Sequence, residues 1–78
     1  SPTDLSGKAE RQQIAREQMA IEEERFREER EATRLRLKQL EEEMLKAELS
    51  GAKVSDLEFE AQALESELNT FDREGWSR

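Results

Sequence analysis

A seven-residue repeat runs through most of this chain: Leu5, Gln12, Met19, Phe26, Thr33, Leu40, Ala47, Val54, Ala61 and Leu68 recur at constant spacing, and all but Gln12 and Thr33 are apolar. With about 3.6 residues per helical turn, that repeat draws one apolar line along a helix, and such a line needs a second helix to cover it. The expected fold is all-α, an oligomeric coiled coil built from a long first helix and a shorter second one.

The rest of the composition agrees. The chain has 78 residues, 33% apolar and 42% charged, too few apolar side chains for an ordinary globular core. A partner is therefore expected, first of all the chain itself as a homodimer or higher homo-oligomer, and alternatively another protein. The formal charge of −7 disfavours nucleic acid and anionic membrane surfaces. Cys and His are both absent, which removes disulfides, thiolate and imidazole metal ligands, and the usual nucleophile–base pairs. A cytoplasmic location is expected. No run approaches the roughly 20 apolar residues of a membrane span, so no membrane insertion is expected. The abrupt start without Met reads as a segment of a larger intracellular protein.

Five segments follow from local signals. Residues 1–7 contain the only Pro and one of three Gly; Ser1, Pro2 and Asp4 have the order of a helix start, but Gly7 weakens it and the segment is expected to fray. Residues 8–50 lack Pro and Gly and are rich in strong helix formers, giving a long charged coiled-coil helix. Pairs four apart, such as Glu23 with Arg27 and Glu42 with Lys46, add to it. Residues 51–55 form a break or turn, with Gly51 placed for a left-handed C-terminal residue. A capping box follows, Ser55 as N-cap with Glu58 at the third helical position, flanked by a staple of Val54 and Phe59. The second helix is expected over 56–74, and residues 75–78 form a C-terminal tail.

The first helix carries Leu37, Leu40, Met44 and Ala47 before the break, and the second carries Leu57, Ala61, Leu64, Leu68 and Phe71 after it. One continuous helix needs a winding fault near Gly51 to keep both stripes on one side. A hairpin needs none and is the preferred reading. Folded about residues 52 and 53, it opposes Met44 with Ala61, Leu40 or Glu41 with Leu64, and Leu37 with Leu68, with Phe71 near Thr33 or Arg34. Glu65, Glu67, Asp72 and Glu74 then run beside Arg30, Arg34, Arg36 and Lys38. The interface expected for an oligomer or partner comprises these apolar residues with Met19, Phe26 and Val54.

A second stripe of Ile14, Ile21, Leu35 and Leu49, widened by Leu45, lies about 200° around the first helix. A helix apolar on two faces is commonly sandwiched between neighbours, which makes this stripe a second candidate interface. Trp76, the only Trp, is expected to pack over the end of the bundle or to anchor a partner. Farther back, Glu23 and Arg30 argue against a tight parallel zipper around Met19 and Phe26.

Carboxylate runs such as Glu22 to Glu24 and Glu41 to Glu43 lie on a helix surface, whereas acid–base catalysis needs a pocket that shifts their pKa. No phosphate-binding loop or metal motif is present. No enzyme activity, cofactor or metal is expected, and the basic run from Arg25 to Lys38 reads as ion pairing. The composition of Glu10 to Glu48 looks like charged helices of cytoskeletal and membrane-trafficking adaptor proteins, and the helical hairpin looks like the antiparallel finger of Rho-effector proteins. The expected function is a non-catalytic oligomerisation and scaffold segment. The alternative is a helical recognition module for another protein, such as a small GTPase, a motor or a cytoskeletal component.

Overall fold

The computed structural model describes the backbone of residues 2–75 and the side chains of residues 7–75. It contains two helices, α1 (Pro2–Ser50) and α2 (Ser55–Glu74), joined by four residues. α1 begins at Pro2 rather than near Lys8; Gly7 lies inside the helix, where it lowers helix propensity without ending it. Ser1 and Trp76 lie outside the described residues, as does the rest of the expected tail beyond Gly75.

The helices fold back on each other. The overall extents are 75 × 17 × 13 Å, and the long dimension is that of α1 alone, since 49 residues at about 1.5 Å each come to roughly 74 Å. Gly51 makes the reversal. Its φ of 76° is left-handed, and the Gly51 N–H donates to the Glu48 carbonyl (3.2 Å) while the Ala52 N–H donates to the Ala47 carbonyl (2.9 Å). Those two bonds are the Schellman arrangement, which satisfies carbonyls left open at a helix end.

α2 starts differently from the sequence reading. Val54, not Ser55, is the N-cap, with no side-chain cap bond, and the Glu58 N–H donates to the Val54 carbonyl at 2.8 Å. Because the helix begins one residue earlier, the Ser55 hydroxyl falls inside the first turn and the capping box does not form. Phe59 is 76% exposed, which argues against the staple as well. The first turn still gains Asp56 and Glu58, charges that the helix N-terminus favours. At the other end Gly75, with φ 58°, donates its N–H to the Phe71 carbonyl at 2.8 Å.

The register also differs. Arg30 meets Asp72 and Thr33 meets Glu67, each about one helical turn nearer the N-terminus of α1 than a fold centred on residues 52 and 53 allows. Phe71 reaches Phe26 instead of Thr33 or Arg34. The physical reason is the connection: the chain turns at Gly51 but α2 starts only at Ser55, so residues 51–54 descend beside α1 before the second helix begins. At this register the two most buried apolar residues, Leu40 at 0% and Ala61 at 4% exposure, come level.

Candidate interaction surfaces

The buried and half-buried positions of α1 from Glu23 onward are Glu23, Phe26, Arg30, Thr33, Leu37, Leu40, Met44 and Ala47; around α2 they include Val54, Leu57, Ala61, Leu64, Leu68 and Phe71. Both sets alternate spacings of three and four, the pattern that keeps side chains on one face of a helix. Large Leu40 beside small Ala61 lets the helices approach. At the far end the Phe26 and Phe71 rings meet edge to face, with centroids 5.3 Å apart and planes at 79°, a geometry worth about 0.5–1.5 kcal/mol beyond area burial.

Polar groups border this seam and fix its direction. Arg30 donates from Nε and Nη2 to Asp72 Oδ1 at 2.9 and 2.7 Å, and Arg36 donates from Nη2 to Glu60 Oε1 at 3.0 Å. The buried Thr33 hydroxyl lies 3.0 Å from the Glu29 carbonyl, to which it donates, and 3.3 Å from Glu67 Oε1. The expected acidic strip facing a basic strip is thus present in part: Arg30 takes Asp72, but Arg34 turns to Glu31 on its own helix. Exposed pairs of this kind contribute about 0–1 kcal/mol each. They select the antiparallel arrangement more than they hold it.

Eleven of the twelve residues expected at the main interface line this seam, between helices of the same chain. Met19 does not: it is 40% exposed, because α2 ends at Glu74, level with the region of Phe26, and leaves the N-terminal part of α1 uncovered. The second stripe is open throughout. Ile14, Ile21, Leu35, Leu45 and Leu49 are between 52% and 81% exposed, on the side of α1 turned away from α2. Trp76, the remaining residue expected at this second interface, lies outside the described residues.

Three features escaped the sequence reading. Thr33 belongs to the repeat, yet its burial was not foreseen because a hydroxyl looks out of place there; its bond to the Glu29 carbonyl resolves that. Arg30 was read as an obstacle to packing, whereas its charged end reaches the rim to meet Asp72 while its stem crosses the seam. Phe59 stands alone on the outer side of α2; its position two residues from both Leu57 and Ala61 was the available signal.

Among the described residues no helix is long and apolar enough to cross a membrane, and no three acidic side chains converge as a metal site would require. No protein-family model matches the chain, and neither a curated protein nor a solved structure matches it.

Proposed function

We propose that this chain is a coiled-coil oligomerisation and scaffold segment that holds copies of a longer protein together. The observation that carries the reading is the open stripe of Ile14, Ile21, Leu35, Leu45 and Leu49. α2 covers the seam on the opposite side, so among the described residues these side chains have no further cover. Large apolar side chains arranged in line along a charged helix mark a surface that associates. Self-association covers them with the least additional machinery, and it gives α1 a neighbour on each side.

The second reading, a helical recognition module for another protein, draws on Phe59, whose ring is 76% exposed on the outer side of α2. Aromatic side chains of this kind are common binding anchors. Light scattering across a concentration series separates the two. The scaffold reading expects a mass of at least two chains at micromolar concentration and a melting temperature that rises with concentration, because association and folding are linked. A monomer with a concentration-independent melt would sink it and leave the recognition module.

A further inference from the structure

The open stripe is flanked by charge in an ordered way. On a helix, the residues bordering a given position are those three and four away on either side. For Ile14 and Ile21 one flank is made of Glu10, Glu17 and Glu24, and Glu31 continues it at the same spacing; the other flank is Arg11, Gln18 and Arg25. The second flank goes on through Ala32, Gln39 and Lys46 without a single acidic residue. Over residues 10–31 the stripe therefore lies between an acidic rail, which passes into Lys38 and Leu45 beyond Glu31, and a rail that is basic or neutral.

We infer that the occupant of this stripe is a second copy of the chain, packed parallel and in register, α1 against α1; the inference rests on the oligomerisation reading above. Across a parallel two-fold pair, the left flank of one helix faces the right flank of the other, as the two flanking positions do in a parallel coiled coil. Each copy's glutamate rail then meets its partner's basic or neutral rail, with Glu10 beside Arg11 and Glu24 beside Arg25 of the other copy. An antiparallel pair would set like flank against like flank: over the full length of α1 that brings Glu24 against Glu31 and Arg25 against its own copy, with Glu17 relieved by Lys38, and where only the N-terminal halves overlap the glutamates face one another throughout. Within one chain Glu24 and Glu31 pair with Arg27 and Arg34 at 3.9 and 3.4 Å, exposed pairs worth about 0–1 kcal/mol each, which do little to hold these carboxylates back from a second copy.

Two glutamates, Glu28 and Glu42, interrupt the stripe. In register each faces its own copy, but each also has a cation beside it on the basic rail: Arg25 three residues before Glu28, and Lys46 four residues after Glu42. Leu45 and Leu49, both exposed, complete the contact near the turn. The pair places both α2 helices on the outside and both Gly51 turns at one end of a rod about as long as α1.

The test uses the full chain, which has no Cys. Ile21→Cys is expected to give a disulfide-linked dimer under mild oxidation, while Ser66→Cys on the outer side of α2 stays largely unlinked. Glu17→Lys with Glu24→Lys should weaken dimerisation by about tenfold or more, and adding Arg11→Glu and Arg25→Glu should restore most of it, with helix content checked by circular dichroism. If the unmodified chain is a monomer by light scattering, both the oligomerisation reading and this inference fall. If it is a dimer but Ile21→Cys links no faster than Ser66→Cys, or the two Lys changes tighten the dimer, the parallel arrangement alone is overturned.

Discussion

Leu40 and Ala61 carry more of the hairpin than their two places in the sequence suggest. Leu40 is fully buried, so Leu40→Ala removes apolar contact and leaves a space that the paired helices close only in part; a loss of about 2–5 kcal/mol is expected. The reverse error, Ala61→Leu, inserts bulk at a buried position of the seam and should cost about 1–3 kcal/mol. Ile14→Ala should fall within about 0.5 kcal/mol under conditions where the chain is monomeric, since the side chain is more than half exposed. Thermal melts at matched concentration check all three, and equal losses at Leu40 and Ile14 would contradict the arrangement. Ser55→Ala is the residue-level test of the helix start. A working N-cap would lose roughly 1 kcal/mol, whereas Ser55 inside the first turn without a cap bond should lose much less.

Between the helices, the decisive features are Gly51 and the descending connection. A Cβ at Gly51 meets nothing within 4 Å, so Gly51→Ala is opposed only by its left-handed φ of 76°, a cost of about 1–2 kcal/mol. That substitution should lower the melting temperature while leaving the fold-back intact, because the seam, not the turn, supplies most of the stability. Spin labels at Lys38 and Glu67 read the fold-back directly. In one unbroken helix they would stand about 43 Å apart; in the hairpin they sit on neighbouring packed helices, little more than a turn out of level, since Glu67 meets Thr33, and should lie within about 25 Å, given interaxial distances of about 8–10 Å and the reach of the labels. The measurement belongs in samples diluted with unlabelled chain, so that only distances within one molecule count.

For the whole molecule, the consequence of unequal helices is an overhang. α2 has 20 residues against 49 in α1, so it pairs with less than half of its partner, and the N-terminal portion of α1 has no second helix beside it. An isolated helix of that length is marginal in water, which leads to the expectation that amide hydrogen exchange in residues 8–20 is fast in the monomer and slows when copies associate. Protection that is uniform along α1 at every concentration would contradict it. Small-angle scattering should return a maximum dimension near 75 Å for one chain, or for a parallel in-register pair, and a markedly longer one for an extended helix.

The sequence by itself determined the helical class, the Gly51 break and the two faces of α1, because each depends on spacing and on single-residue backbone preference, properties that act over a few neighbouring residues. It could not set the register of the hairpin or the start of α2 at Ser55. Those depend on how far four connecting residues descend and on which of several near-equivalent three-and-four stripes interlock, differences decided by side-chain size across the seam. Leu40 level with Ala61, and Phe71 extending to Phe26 rather than Thr33, were chosen by packing between segments distant in sequence. Only the tertiary structure makes that choice, since a shift of one turn leaves every local preference unchanged while altering every contact.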